Sequence, residues 1–330
     1  MKLLKVHGSG NDFFILDQSK LEKPLSEAEL KLLAQKICDR KSGLHGGSDG
    51  VLSVTAGHND AVVGKMRVIN ADGSEASMCG NGIRTVARYL SEQNNQNAFK
   101  VETMQADLEV KREPDFAPGI TVFEAEISPV SFTAKALGMH VAGKEKLVNE
   151  SIPELSATLK FSAVAVPNPH LIAFVDHATL IGEELGRIAS YLNSKGNPIF
   201  PDGVNVSFVE VLAKNKIFVR TYERGVGFTN ACGTAMSASS LMYVLLFTGK
   251  SGLEEKITVL NPGGMVKTKV HQRADGSYWM SLIGNATFVA TVEVELSAAL
   301  AGDFSQVNWQ ETGEQKAYEH FVRSVVKNEL

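Results

Sequence analysis

A chain of 330 residues, 44% hydrophobic and 21% charged, is long enough for two domains of moderate size, each with its own core. A formal net charge of −4 and no local Lys/Arg block remove the electrostatic basis for binding nucleic acid or an anionic membrane. No apolar run is long enough to cross a bilayer, and the N-terminal apolar stretch is too short for a signal peptide. With only three cysteines (Cys38, Cys79, Cys232), a disulfide framework is not expected and a reducing cytoplasm is. The histidines lack HExxH, CxxC or paired Cys/His spacing, so neither a metal nor another cofactor is expected.

In chain order, apolar runs with strand character lie at 13–16, 50–54, 161–166, 171–175, 204–211, 217–221 and 288–294. Ser26 and Glu29 form a capping-box pattern that opens a helix running to about Cys38, whose thiol reads as core. Residues 81–90 place Ile83, Val86, Ala87 and Leu90 on one helical face, and 234–246 repeat this with the smaller Ala235, Ala238 and Ser239. Residues 314–326 suggest an amphipathic C-terminal helix. The stretches 114–118 and 128–135 are plausible crossing points between domains.

A weak internal repeat organises these elements. Cys79-Gly80 and Cys232-Gly233 lie 153 positions apart, and the same offset takes Asp49-Gly50-Val51 to Asp202-Gly203-Val204 and Arg67 to Arg220. Identity is low, but both halves run strand, polar loop, Cys-Gly, helix, which points to two related domains facing each other. Each cysteine precedes a helix, where unpaired N–H groups and the positive dipole end should lower the thiol pKa and bind an anion. Two such cysteines, one thiolate and one thiol, can exchange the roles of base and acid on opposite faces of an α-carbon. Without pyridoxal phosphate, the developing charge would go onto the substrate carboxylate, met by the two helix N-termini. A Cys-Gly pair before a helix is, alone, more often a small buried residue; two in symmetric positions reverse that balance.

At these motifs the sequence resembles the diaminopimelate epimerases. The resemblance rests on the ordered set His7-Gly8-Ser9-Gly10-Asn11-Asp12-Phe13, Asn70-Ala71-Asp72-Gly73-Ser74-Glu75, Cys79-Gly80-Asn81-Gly82, Asn168-Pro169-His170, Gly203-Val204-Asn205, Glu223-Arg224-Gly225 and Ala231-Cys232-Gly233-Thr234. It implies an α+β fold of two pseudo-symmetric domains, each a mixed β-sheet wrapped around a central α-helix, with the active site in the cleft between them. The expected domains are 1–132, with 288–330 returning to it, and 133–287. The implied reaction interconverts LL- and meso-diaminopimelate without cofactor, for lysine and peptidoglycan synthesis. By the same resemblance Cys79 and Cys232 are the acid–base pair, Cys79 taking the proton from the LL isomer. The amides of Gly80, Asn81, Gly233 and Thr234 hold the reacting carboxylate. Asn70, Asn168, Asn205 and Arg224 hold the distal carboxylate, Glu223 with Asn70 the distal ammonium, and Asn11 lines the site. His170 and Glu223 tune the cysteine pKa values.

Chemically, Arg224 suits bidentate carboxylate binding and Glu223 an ammonium, although adjacent charges are usually a surface pair. Asn70 and Asn205 alone would read as turn residues, and His170 as a hydrogen-bonded loop residue. Departures from the family pattern are Gly50, where some members carry a glutamine; Phe228, at an often polar position; and extra residues between 94 and 159 and at the C-terminus. The small-molecule substrate leaves a homodimer as one assembly open to the chain. The first rival is a cofactor-independent racemase for another amino acid such as histidine, which should not need the whole distal set. A second is a serine hydrolase, because Gly46-Gly47-Ser48-Asp49-Gly50 matches the G-x-S-x-G elbow. Residues 51–54 look like a strand where that motif needs a helix. A binding protein without turnover has no support in a chain that keeps both cysteines.

Overall fold

The computed structural model describes residues 1–59, 61–141 and 143–326. Two compact units form, one of Met1–Ala125 with Ile283–Ser324, the other of Glu126–Leu282.

In the first unit, strands β1 (Lys2–Gly8) and β2 (Asn11–Asp17) pair antiparallel around the short turn at Ser9-Gly10. Helix α1 (Glu27–Ile37) then crosses to β3 (Gly50–Asn59), which pairs parallel to β2. The predicted capping box is present, with Ser26 and Glu29 bonded reciprocally and Cys38 at the C-cap. Strand β4 (Val62–Asn70) runs antiparallel to β3, and the two-residue β5 (Glu75–Ala76) folds back on β4. Helix α2 (Gly80–Asn94) leads to β6 (Ala98–Glu102), parallel to β4, followed by antiparallel β7 (Asp107–Glu113) and β8 (Val122–Ile127). The sheet curls around α2, which packs on β1, β2, β3, β4, β6 and β7. Every residue from Gly80 to Ala87 is buried, so α2 is the axis of the unit. It outruns the predicted 81–90 and ends where Asn95 turns left-handed, a conformation asparagine tolerates.

The second unit repeats this plan. After α3 (Ala134–Leu137) and β9 (Glu150–Ser151), β10 (Lys160–Ala165) and β11 (Pro169–Phe174) pair antiparallel. Helices α4 (His177–Ile181) and α5 (Glu184–Leu192) cross to β12 (Asn205–Ala213), parallel to β11. Strand β13 (Lys216–Glu223) is antiparallel to β12, with β14 (Gly227–Thr229) folded back on it. Helix α6 (Gly233–Tyr243) leads to β15 (Ile257–Asn261), parallel to β13, then to β16 (Gly264–Gln272), antiparallel to β15, and β17 (Tyr278–Asn285). All eleven residues of α6 are buried. Two of its three serines, Ser237 and Ser240, are satisfied in this dry interior by donating to the carbonyls of Gly233 and Met236, at 3.0 and 2.9 Å, whereas the buried Ser239 hydroxyl has no partner among the described residues. Beyond Tyr243 the chain widens into a π-turn over Val244–Thr248, so the predicted 234–246 helix is regular only in its first part.

The C-terminal segment closes the first sheet. Strand β18 (Thr287–Glu293) pairs antiparallel to β1, and after α7 (Leu296–Ala301), β19 (Asn308–Glu311) pairs with β18. The final helix α8 (Glu314–Val326) is held to α2 by Glu314, whose carboxylate accepts from Arg88 Nη1 and Nη2 at 2.6 and 2.8 Å and from the Phe288 N–H at 2.9 Å.

Candidate active site

In the first unit Cys79 is the N-cap of α2, its Sγ accepting from the Gly82 N–H at 3.3 Å. The thiol also lies 3.5 Å from Asn11 Oδ1, which accepts from Asn81 Nδ2 at 3.3 Å. Asn11 is itself held from behind: its Nδ2 donates to Asp49 Oδ2 at 2.5 Å, and Arg40 Nη2 donates to Asp49 Oδ1 at 2.7 Å. An ionised carboxylate only accepts, so Asp49 settles which way the Asn11 amide faces and turns its carbonyl oxygen to the cysteine. Asn70 sits at the end of β4, with Nδ2 donating to Ser74 Oγ at 2.9 Å. Its register partner Gly50 has no room for a side chain, since a Cβ would lie 2.4 Å from the Ile69 carbonyl oxygen. One turn into α2, Arg84 is wholly buried and bonds the Gly80 carbonyl.

In the second unit Cys232 is the N-cap of α6, with Thr234 Oγ1 3.5 Å from its sulfur and the Ala235 N–H, the counterpart of Gly82, also bonding to it. Burial pushes this thiol up, and the neighbouring Glu223 carboxylate, hydrogen-bonded to it, pushes it further. The helix N-terminus does not win here, which corrects the expectation that both thiols should be lowered. Desolvation acts on the whole charge, whereas the dipole end supplies about half of one. Next to this pair, His170 Nε2 lies 3.1 Å from Asn168 Oδ1, and its buried Nδ1 has no partner. The ring is thus neutral with its proton on Nε2; burial, then the charge of Arg224, holds its pKa down to about 3. His170 and Asn205 are register partners across β11 and β12. Asn205 Oδ1 accepts the Arg224 N–H at 2.8 Å, and Arg224 Nη1 donates to the Asp202 carbonyl at 3.0 Å. Among the described residues no carboxylate pairs with this exposed guanidinium. Phe228 is exposed on the same loop, edge-on to Tyr222 with ring centroids 5.3 Å apart.

The structure thus gathers Cys79, Asn11 and Asn81 in one unit, and Cys232, Thr234 and Glu223 beside His170, Asn168, Asn205 and Arg224 in the other; Asn70 bonds only within its own turn among the contacts described. Asp49, Arg40 and Arg84 were not singled out from sequence. Asp49 could have been, since it opens the repeated Asp-Gly-Val; Arg40 and Arg84 carry no comparable signal.

The hydrolase reading fails on geometry. Ser48 is 1% exposed, donates to the Gly50 carbonyl at 3.0 Å, and is followed by β3 and not by a helix. Cys38 lies beside it, a core thiol pushed up to about 12 by burial. Ser281, His271 and Glu254 form a Ser–His–Glu chain with links of 2.8 and 2.7 Å, but Ser281 has no exposed surface and no substrate reaches it. Among the described residues there is no cluster of three or more His, Cys, Asp or Glu able to hold a metal ion, and no helix long and apolar enough to cross a membrane.

The family model for diaminopimelate epimerase matches residues 3–126 and 162–289. A diaminopimelate epimerase of Ligilactobacillus salivarius is 70% identical over 98% of both chains, and one of Lactiplantibacillus plantarum 63% identical over 99% of both. These relatives therefore share the segments outside the family model. Among solved structures, a phenazine biosynthesis protein of the PhzF family from Bacillus anthracis superposes with a TM-score of 0.63 at 15% identity, covering 89% of this chain and 99% of its own. A hydroxyproline epimerase from Agrobacterium vitis, with bound trans-4-hydroxy-L-proline, gives 0.57 at 14% identity, covering 88% and 90%. At such identities the likeness is one of fold.

Proposed function

The chain belongs to the diaminopimelate epimerase family, and on that premise we propose that it interconverts LL- and meso-diaminopimelate by a two-base mechanism in which Cys79 and Cys232 act on opposite faces of the α-carbon. The observation that carries this reading is the pair of buried helices, α2 and α6, each opened by a Cys-Gly turn on the same sheet plan. A thiolate takes the α-proton as the other thiol delivers one, and reversing the direction exchanges the roles. The negative charge that develops on the substrate carboxylate is met by the amides of Gly80, Asn81, Gly233 and Thr234 and by the helix dipoles behind them. The second amino-acid head group is held by Arg224, Asn70, Asn168 and Asn205 at its carboxylate and by Glu223 at its ammonium. Because Arg224 has only a backbone carbonyl among its described partners, its remaining donors suit a bidentate carboxylate. Neutral His170 serves as a hydrogen-bonding neighbour of Asn168 and not as a proton carrier. No cofactor enters these steps. Three free cysteines and the absence, among the described residues, of a membrane-crossing helix suit a reducing cytoplasm, with a homodimer open to test by sedimentation.

Incubation with LL-diaminopimelate in D₂O, without pyridoxal phosphate, tests the mechanism. Deuterium should enter the α-carbon as the meso isomer forms, and both Cys79→Ala and Cys232→Ala should abolish conversion. Absence of exchange by folded, reduced parent protein would refute it, and comparable turnover of histidine would favour the racemase alternative.

A further inference from the structure

The two cysteine turns match in topology and differ in charge. The offset that superposes the Cys-Gly pairs takes Arg84 to Ser237 and Asn70 to Glu223. Arg84 Nη1 donates to the Gly80 carbonyl and Ser237 Oγ to the Gly233 carbonyl, both at 3.0 Å. A hydroxyl therefore suffices to satisfy that carbonyl, and what arginine adds in the first unit is a charge with two longer hydrogen bonds.

That charge is costly to keep. Arg84 has no exposed surface, and among the described residues no carboxylate lies within ion-pair distance of it. Its other donors go to Ser9 Oγ and the Asn285 carbonyl, each at 3.3 Å. Gly8 and Gly284 clear space for it: a Cβ at Gly8 would lie 2.9 Å from Nη2, and one at Gly284 3.0 Å from the guanidinium carbon. Burial lowers its pKa to about 10, which leaves it charged at neutral pH. Burying such an ion unpaired is strongly unfavourable unless an opposite charge forms beside it.

Three titratable groups feel this cation: His7 on β1, Tyr318 on α8 and Cys79 at the head of α2. His7 stays neutral, held down to about 4 by burial, and the Tyr318 phenol is pushed up by burial. Farther out, Asp49 is paired with Arg40, and Arg88 with Glu314 and Glu92. Cys79 is the group of the three able to supply a negative charge near neutrality, and its sulfur already accepts the Gly82 N–H. Beside Cys232 the charge has the opposite sign, because Glu223 replaces Asn70. We infer that Arg84 is a positioning residue whose buried charge makes Cys79, and not Cys232, the thiolate of the substrate-free protein. This assignment builds on the two-base reading, but its test needs no turnover.

The test is iodoacetamide alkylation of the full chain as a function of pH, with Cys79 and Cys232 read separately by peptide mass spectrometry. Midpoints report ionisation, whereas absolute rates also report access. In the parent protein Cys79 should have the lower midpoint. Arg84→Met should raise it by on the order of one pH unit or more, the shift a nearby opposite charge supplies, and leave Cys232 unmoved. Arg84→Lys should retain most of the parent value. An unchanged Cys79 midpoint in a folded Arg84→Met variant would make Arg84 only a hydrogen-bonding strut and overturn the inference. If that variant does not fold, the parent decides: a midpoint for Cys232 at or below that of Cys79 refutes it. Failure of the two-base reading would appear instead as absent deuterium exchange with the alkylation order intact.

Discussion

Replacing Asp49 by alanine removes the group that sets the orientation of the Asn11 amide without emptying the core. Three bonds are lost at the carboxylate: Asn11 Nδ2 at 2.5 Å, the Asp12 N–H at 3.1 Å and Arg40 Nη2 at 2.7 Å. Arg40 is not orphaned, because it keeps Asp12 Oδ1 at 2.6 Å. A hydrogen bond to a charged group contributes about 1.5–3 kcal/mol. With the Asp49 side chain 43% exposed, the lower end applies, about 1.5 kcal/mol. That energy is a preference of roughly tenfold for the amide orientation that turns Oδ1 toward Cys79. Once it is gone, a large share of molecules should present an N–H to the sulfur, which favours the thiolate and removes the acceptor for its proton. Losing a tenfold preference takes the competent orientation from about nine molecules in ten to about half, so steady-state conversion of LL-diaminopimelate should show kcat/KM lowered by about twofold, while the thermal midpoint falls by about 3–6 °C. An unchanged kcat/KM, alongside a large loss for Asn11→Ala, would show that Asn11 needs no support from Asp49.

Other outcomes follow from the same contacts. Glu314→Gln breaks a bidentate pair whose Arg88 side chain is only 10% exposed; with Glu92 still bonded to Arg88, the loss should be about 2 kcal/mol, lowering the thermal midpoint by roughly 4–8 °C. A double-mutant cycle with Arg88→Met giving no coupling would contradict this. His7 and His170 are buried neutral, with pKa values held to about 4 and about 3, so only the unfolded chain takes up protons as pH falls below about 6.5. Stability from these histidines is complete above that pH and is lost as pH falls toward about 4 for His7 and about 3 for His170, by about 2 kcal/mol each at pH 5; a denaturant midpoint equal at pH 7 and pH 5 would disprove it. Ser48→Ala should leave epimerase activity unchanged, and a fluorophosphonate should not label the parent at Ser48.

What the sequence determines by itself is the local grammar and its duplication. The capping box at Ser26, the apolar stripe of Ile83, Val86, Ala87 and Leu90, and the twofold Cys-Gly turn each depend on residues close in the chain, where periodicity and caps act directly. Strands such as β7 and β16 escaped it because they alternate buried and exposed residues and include charges, so no continuous apolar run marks them. The tertiary structure alone decided the electrostatics around the sulfurs. Whether a helix N-terminus lowers a thiol depends on how much water the fold removes and which charge it brings near, and Cys232, buried beside Glu223, goes the other way. Likewise Arg40, Asp49 and Asn11 meet because parallel pairing of β2 with β3 sets Phe13 opposite Gly50. Arg84 is buried because the sheet closes around α2 and glycines stand on either side of it. Neither arrangement leaves a pattern in the chain, since long-range pairing and desolvation are properties of the folded whole.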